Sequence, residues 1–388
     1  MEKLKRLCLI FLFSSGFLIA QAPQLSDSAQ ISVLTCGVGT EIYSTFGHTA
    51  FRVQDTVNGI DVVYNYGTFD FDKPNFHLNF AKGKLIYSLS RSSFERFLFV
   101  YELEKRWVHE QLLDLDGVQT QQLFAFFEQN YRPENREYLY DPLFNNCSSI
   151  VADILKAQFG DAIQFNASHL NDEVSFRQLV RQYLPMNSWD SFGIELAFGA
   201  ITDKKASALD HMFLPYYAKD QMNNTTLKGK DLVKRERNVL DYPEPEQGGS
   251  FMTRPLFWFA FLLCFVVAIT ILDWKHEGRN RWLDFSLFFI SGLAGILILM
   301  LWLATDHVVT HTNMNFLWLF PLNAVVAFHL AKKDSYPKWL PTYLYVVLGG
   351  MLLSLLIWMF QFQLQSYLNV FLMLALATRY LFLLKRVS

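Results

Sequence analysis

The sequence has few cysteines, almost no net charge and none of the common metal-binding spacings in its first half. Cysteine occurs four times in 388 residues, and the formal net charge is −2. A charge so close to zero argues against a polyanionic partner, and no segment resembles a nucleic-acid-binding module. The lack of CxxC, HxxxH and HExxH spacings before residue 250 predicts no metal and no other cofactor there.

Hydrophobic residues are abundant, at 52% of the chain, and they are distributed unevenly. Near residue 250 a sequence with frequent charges gives way to long runs of Leu, Phe, Val and Trp. At the N-terminus, basic residues precede an apolar run that ends in Ala20-Gln21-Ala22. This layout predicts a cleaved secretory signal over residues 1–22 and an exported mature chain.

Five apolar stretches in the second half predict membrane helices. They cover residues 255–272, 283–304, 316–331, 340–360 and 367–384, and most approach the ~20 residues that cross a bilayer. The third is the shortest and contains Pro321 and Asn323, so we expect it to be broken or partly re-entrant.

The distribution of basic residues sets the expected orientation of these helices. Lysine and arginine follow the first, third and fifth stretches, whereas the loops 305–315 and 361–366 contain neither. Because basic loops stay in the cytoplasm, we expect a cytoplasmic C-terminus and place these two loops on the exported side. The predicted organisation is a signal peptide (1–22), a periplasmic domain (23–250) and a transmembrane domain (251–388) in a bacterial inner membrane.

The exported part is predicted to be an α+β domain. Residues 48–53 and 60–66 form a predicted hairpin around Asn58-Gly59, which is a strong short-range turn signal. The stretch 118–130 has the apolar spacing of an amphipathic helix.

Cys147 is the predicted nucleophile of this domain. Asn146 is a suitable N-cap, and apolar residues from Ile150 to Leu155 recur at helical spacing, which places the thiol at a helix start. The positive end of a helix dipole favours thiolate over thiol. Two alternatives remain: Cys147 is a small core residue, or it forms a disulfide with Cys36, the other exported cysteine.

His48 is the predicted base, because a thiol nucleophile needs a group that removes its proton near neutral pH. The third residue would fix the imidazole tautomer. A hairpin register with His48 opposite residue 65 favours Asn65, whereas a slip of one residue favours Tyr66; we choose Asn65. Tyr43 or Ser44 could line an oxyanion site together with the backbone N–H of Cys147.

Polar residues next to the cysteine have two possible roles. Asn146 and Ser148, with Asp141, Asn145 and Ser149 nearby, either position the nucleophile or are ordinary turn and cap residues.

The loop after the second apolar stretch carries a second polar cluster, which includes His307, His311 and Asn315. A metal site there would need ligands that the sequence does not identify. We expect these residues to contact a substrate headgroup or to dock the exported domain; an ordinary polar loop is the remaining alternative.

The order of these motifs resembles a known family. A strand histidine followed by a helix-start cysteine resembles the circularly permuted NlpC-type papain-like fold of lecithin retinol acyltransferase. More closely, EIYSTFGHTA (41–50), YNYGTFDF (64–71) and NCSS (146–149) resemble the periplasmic domain of the Lnb family, lipoprotein N-acyltransferases of Bacteroidota-type bacteria. The similarity extends through most of the mature chain.

The resemblance implies a reaction and its partners. Cys147 would take an acyl chain from a membrane phospholipid, with His48 as base, and pass it to the α-amine of a diacylglyceryl-cysteine lipoprotein. Two other functions are compatible with the sequence: a membrane-tethered thiol hydrolase of lipid esters or cell-wall peptides, and a non-catalytic membrane sensor or scaffold.

Overall fold

The computed structural model describes residues 22–70, 72–170, 174–245, 250–332 and 336–387. The predicted signal peptide therefore lies almost entirely outside the described residues. The described chain forms a sheet-rich N-terminal part and a helical C-terminal part. This arrangement confirms the predicted fold class, an α+β domain followed by an all-α region.

A seven-stranded antiparallel sheet forms the centre of the N-terminal part, in the order β10-β5-β1-β2-β3-β4-β6. A second sheet has the order β7-β8-β9. The strands are β1 (Gln30–Cys36), β2 (His48–Asp55), β3 (Ile60–Thr68), β4 (Ile86–Ser93), β5 (Val108–Leu113), β6 (Glu137–Leu139), β7 (Ile163–Phe165), β8 (Thr225–Leu227), β9 (Lys230–Asp231) and β10 (Val233–Leu240).

Seven α-helices accompany the sheets and five follow them in the described chain. The first group is α1 (Phe76–Ala81), α2 (Phe94–Leu103), α3 (Gly117–Tyr131), α4 (Ser149–Phe159), α5 (Phe176–Arg181), α6 (Trp189–Ala197) and α7 (Pro215–Asn223). The second group is α8 (Pro255–Lys275), α9 (Arg281–Leu303), α10 (Asn323–Leu330), α11 (Leu340–Met359) and α12 (Asn369–Val387).

The hairpin of β2 and β3 turns where the sequence predicts it. Gly59 has a φ of +66° in the turn, a conformation that glycine adopts at no steric cost. Phe51 pairs with Tyr64 and Arg52 with Val63. These pairs fix which residues of the two strands share a face.

The main sheet is covered on both faces, because successive strand residues point in opposite directions. On one face, Phe51 and Tyr64 pack on Phe127 of α3, with ring centroids 4.8 Å and 4.9 Å apart. Side chains of α4 join this core. On the other face, Leu34 and Val63 pack with residues of α2. The sheet is therefore a layer between helices.

Three of the C-terminal helices are long and apolar enough to cross a membrane: α8, α9 and α11. The third apolar stretch is helical only over the eight residues of α10, and a 3₁₀ turn at Met314–Leu317 precedes it. The fifth stretch forms α12, which carries Arg379, Lys385 and Arg386. Because Arg379 is fully buried and bonded to Asp284 of α9 at 2.7 Å, its charge is compensated inside the helical part.

The two parts of the chain contact each other through segment 194–202 and loop 305–315. The N–H of Gly199 donates to the carbonyl of Val309 at 2.9 Å, and that of Ala200 donates to the carbonyl of Thr312 at 3.0 Å. The side chain of Asn313 donates to two carbonyls at the end of α6. These main-chain and side-chain contacts hold the sheet-rich part against the ends of the helices.

Candidate active site

Cys147 lies in the turn that leads into α4. The side-chain oxygen of Asn146 accepts hydrogen bonds from the N–H groups of Ser148 and Ser149 at 2.8 and 2.9 Å. The Asn146 carbonyl accepts from the N–H of Ile150, which closes a helical turn around the cysteine. Helix α4 begins at Ser149, two residues after the thiol, yet Asn146 makes the capping bonds expected of an N-cap.

The imidazole of His48 is hydrogen-bonded to the thiol of Cys147. His48 is the first residue of β2, and Cys147 is partly exposed. Burial alone would raise the pKa of the thiol, but the charge and hydrogen bond of His48 outweigh it, so the pKa of Cys147 lies below its ordinary value. The backbone N–H groups of Thr49 and Cys147 act in the same direction.

The same pair shifts the histidine in the opposite direction. Burial would lower the pKa of His48, but the charge of Cys147, its hydrogen bond and that of Asn65 together raise it. A lowered thiol pKa beside a raised imidazole pKa favours a thiolate next to an imidazolium. The site can therefore supply both a nucleophile and a proton donor.

Asn65 on β3 completes a row of three side chains. Its Oδ1 lies 2.5 Å from Nε2 of His48. Because Nε2 donates to this amide oxygen, the other ring nitrogen is left for the thiol. The sequence-predicted residues Cys147, His48 and Asn65 are therefore neighbours in space.

The register that led to Asn65 was nevertheless wrong. Phe51 pairs with Tyr64, and continuing this ladder places Asn65 opposite Ala50 rather than opposite His48. Asn65 reaches His48 as a diagonal neighbour on the same face, two residues along the strand. The contact that selects Asn65 is a diagonal one, not a direct pair.

Tyr66, the alternative third residue, points to the other face of the sheet. Its side chain is buried in the main core, and its hydroxyl accepts a hydrogen bond from Asn130 at 2.7 Å. Successive residues of a strand alternate in direction, so Tyr66 cannot share the side of Asn65. Its expected place near the substrate is therefore corrected to a place in the core.

Gly67 contacts both reacting side chains and was not singled out from the sequence. A Cβ atom there would lie 3.4 Å from Cβ of Cys147 and 4.0 Å from Cε1 of His48. Gly67 has a φ of +88° and lies where the pairing of β3 with β4 is irregular. The strand bulges next to the thiol, and glycine keeps the space beside it open.

The other predicted site residues have different surroundings. Ser148 is fully buried and bonded to the hydroxyl of Thr49, and Asn146 is also buried with its side-chain NH₂ bonded to two carbonyls. Ser44 is buried and donates to the carbonyl of Glu41. Tyr43 is 64% exposed. Ser148, Asn146 and Ser44 are therefore buried with their side chains bonded to other groups of the protein, whereas Tyr43 is open to solvent.

The disulfide alternative is not realised, because Cys36 and Cys147 are both free thiols. Cys36 pairs with His48 across β1 and β2 and is fully buried. Burial raises the pKa of Cys36 to about 12, so this second thiol is unreactive near neutral pH.

The outer loop serves mainly to dock the two parts of the chain. The Asn315 side chain is fully buried and bonded to the carbonyl of Leu196 and to the indole N–H of Trp318, which agrees with the docking alternative and leaves it no exposed surface for a substrate. The His311 main chain lies against Gly199, and the ring of His307 contacts Phe80. Among the described residues, no group of three or more His, Cys, Asp or Glu is arranged to hold a metal ion.

Comparison with protein families identifies both parts of the chain. The model described as the Lnb N-terminal periplasmic domain matches residues 23–185, and the Lnb transmembrane domain matches residues 246–387. The chain belongs to the Lnb family. It is an inner-membrane protein with a periplasmic N-terminal domain. Curated proteins and solved structures gave no match.

Proposed function

We propose that this Lnb-family protein is a lipoprotein N-acyltransferase. In this proposal, Cys147 carries an acyl chain from a membrane phospholipid to the α-amine of a diacylglyceryl-cysteine lipoprotein. The supporting observation is the row of Cys147, His48 and Asn65 on a domain that docks against membrane helices. Family membership supports the same class of reaction.

The first step forms a thioester. His48 takes the proton of the Cys147 thiol, and the sulfur attacks the carbonyl carbon of a glycerol ester. The bond between that carbon and the glycerol oxygen breaks, and the oxygen leaves as a hydroxyl with the proton that His48 returns. The products are acyl-Cys147 and a lysophospholipid.

The second step transfers the acyl group. The neutral α-amine of the lipoprotein attacks the thioester carbon, a C–N bond forms and the C–S bond breaks. The amine proton passes through His48 to the sulfur, which restores the starting enzyme. The overall reaction converts an ester into an amide and needs no further reactant. The backbone N–H of Cys147 is the proposed hydrogen-bond donor to the oxyanion that forms in each step.

Membrane attachment favours this reaction because both substrates are lipids of the same surface. Docking of segment 194–202 on loop 305–315 fixes the thiol relative to the outer ends of the helices. A fixed distance to the bilayer raises the effective concentration of both lipids. In this proposal the C-terminus is cytoplasmic, which the basic residues that follow α8 and those in the last turn of α12 favour.

The deciding experiment uses cells in which this protein is the only candidate acyltransferase. Mass spectrometry of lipoprotein N-termini should find triacylated forms with the wild type and only diacylated forms with Cys147→Ser. Cys36→Ser is the matched control, because Cys36 is a buried free thiol outside the reacting row. Triacylated lipoproteins in Cys147→Ser cells would reject the proposal, and free fatty acid without transfer would indicate a hydrolase.

A further inference from the structure

A row of aromatic rings runs over the surface away from the thiol. We call Tyr140, Tyr87, Phe69, Phe76 and Phe80 the aromatic strip; each ring is partly exposed. Tyr140 stacks on Tyr87 with centroids 4.3 Å apart, and Tyr87 lies 5.2 Å from Phe69. The ring centroid of Phe76 lies 6.2 Å from that of Phe69 and 6.2 Å from that of Phe80. The strip is therefore continuous from ring to ring.

One end of the strip is at the candidate active site. The position of a Cβ at Gly67 lies 3.8 Å from the ring of Tyr140 and 3.4 Å from Cβ of Cys147. The exposed Tyr43 contacts the strip through Phe69, with ring centroids 6.4 Å apart. A chain bound to the sulfur would thus meet the ring of Tyr140 first.

The other end of the strip lies at the periplasmic face of the inner membrane. The ring of Phe80 lies 6.3 Å from that of His307, in the loop that follows α9. The carbonyl of Lys82 accepts a hydrogen bond from the N–H of Asp306 at 2.8 Å. A Cβ at Gly83 would lie 2.5 Å from the main-chain nitrogen of His307, so the two backbones touch. Helix α1 is therefore fixed to the end of a membrane helix.

A cavity of about 300 Å³ opens at this membrane end. Its walls combine apolar side chains with two lysines and one glutamate, and they include Phe76, Phe80, Leu85, Ile86, Lys73, Lys84 and Glu137. This volume lies at the lower limit of pockets that bind small molecules, about 300 Å³. An apolar cavity next to a cation suits a ligand that has both a hydrocarbon chain and an anionic group.

The charges at the rim indicate which group binds there. Lys73 is paired with Glu137 at 2.6 Å, whereas Lys84 is exposed and makes no ion pair with any described residue. The ammonium group of Lys84 can therefore receive a phosphate without losing another partner. Exposed apolar surface that ends at a membrane face and carries an unpaired cation suits a phospholipid.

We propose that the aromatic strip and its cavity hold the donor phospholipid, with its acyl chain along the rings and its phosphate at Lys84. This inference rests on the proposed function and assigns the donor site within it. The lipid would leave the bilayer at the end of α9, pass Phe80 and Phe76, and present its ester to Cys147 beside Tyr140. The strip thereby shields hydrocarbon that would otherwise meet water.

The experiment measures thioester formation by the full-length protein. Purified protein is mixed with vesicles of phosphatidylethanolamine, without any acceptor, and acyl-Cys147 is followed by mass spectrometry. Phe80→Asp should slow acylation at least about tenfold, because a charge opposes the chain in its apolar site. Phe99→Asp is the matched control, since Phe99 is an exposed phenylalanine of α2 outside the strip.

Two further variants complete the test. Phe80→Leu should keep most of the rate, which separates apolar contact from a folding defect. Lys84→Glu should slow acylation in a salt-dependent manner, while Lys230→Glu, on exposed β9, should not.

The outcomes separate this inference from the proposed function. If the wild type forms no thioester, the proposed function fails. If it does and Phe80→Asp and Lys84→Glu are both as fast as their controls, the donor site is elsewhere and the inference is overturned. The inference would also be overturned if Phe80→Asp and Lys84→Glu formed the thioester at the normal rate but transferred the acyl chain slowly to a diacylated lipopeptide. The strip would then bind the acceptor.

Discussion

The Nε2 atom of His48 lies 2.5 Å from Oδ1 of Asn65, and this contact determines how the imidazole faces Cys147. A neutral imidazole has one N–H and one lone pair. Because Asn65 accepts from Nε2–H, the lone pair of the other nitrogen faces the thiol. The Asn65 amide thus fixes the tautomer that His48 needs to act as a base. It also stabilises the imidazolium that forms when His48 takes the proton.

We expect Asn65→Ala to slow thioester formation about 100-fold, because the ring would lose its fixed orientation. Asn65→Asp should recover part of the rate, since a carboxylate oxygen also accepts from Nε2–H. The measurement is the rate of acyl-Cys147 formation from phosphatidylethanolamine vesicles, with circular dichroism to show that both variants fold. Equal rates for wild type and Asn65→Ala would remove Asn65 from the mechanism.

Replacement of His48 should shift the reactivity of Cys147 to a higher pH range. His48 lowers the pKa of this thiol against the effect of burial, so in His48→Ala only burial and the backbone hydrogen bonds remain and the pKa rises. At neutral pH less thiolate is then present, and alkylation by iodoacetamide should be slower. Alkylation of the Cys147 peptide across a pH series measures the shift.

The same variant should lose acyl transfer while remaining folded in the membrane. Cys36 provides an internal control in the alkylation experiment, because it is buried and its pKa of about 12 keeps it protonated. An unchanged pH profile for Cys147 in His48→Ala would contradict the pairing of the two side chains.

A side chain at Gly67 should reduce activity by more than its effect on stability explains. Gly67→Ala places a Cβ 3.4 Å from Cβ of Cys147, in the space beside the reacting sulfur. Its φ of +88° also makes alanine strained, at a cost of about 1–2 kcal/mol. We expect thioester formation to fall at least about tenfold, because the acyl carbonyl must occupy this space.

Gly59→Ala is the matched control for this prediction. Gly59 also has a positive φ, +66°, but nothing lies within 4 Å of its Cβ position. Both variants should lower the thermal unfolding midpoint by a similar amount, and only Gly67→Ala should lose activity. Similar activities in the two variants would mean that Gly67 matters for the bulge alone.

Local sequence signals predicted the elements that form the site. Asn58-Gly59 specified the hairpin that carries His48 and Asn65, and Asn146 specified the cap that leads into α4. Both signals act over a few residues, so they can be recognised in the sequence without the tertiary structure. Strand alternation then excludes Tyr66, but only after the true register is known.

Contacts between distant segments were not predictable in the same way. The bulge at Gly67 arises from the irregular pairing of β3 with β4, and Tyr140 reaches it from β6 and the turn beyond. Docking was one expected role of Asn315, but its partner, the carbonyl of Leu196, lies 119 residues earlier. No periodicity or spacing encodes these approaches, because they result from packing of elements that are far apart in the chain.

Docking of the sheet-rich part on loop 305–315 should be required for activity. Gly199→Ala would place a Cβ 1.8 Å from the carbonyl oxygen and 2.6 Å from the carbonyl carbon of His311, so the two backbones must separate. This separation breaks the hydrogen bond from Gly199 to Val309 and moves Cys147 relative to the membrane. We expect lipoprotein N-acylation to fall about tenfold or more.

Gly193→Ala is the control for the docking prediction, because Gly193 lies in α6 with nothing within 4 Å of its Cβ position. Alanine in a helix is favoured over glycine by about 1 kcal/mol, so this variant should be stable and active. Limited proteolysis of loop 305–315 measures the loss of docking directly. If Gly199→Ala exposes the loop yet acylates lipoproteins as fast as Gly193→Ala, a fixed distance between thiol and bilayer is not needed for the reaction.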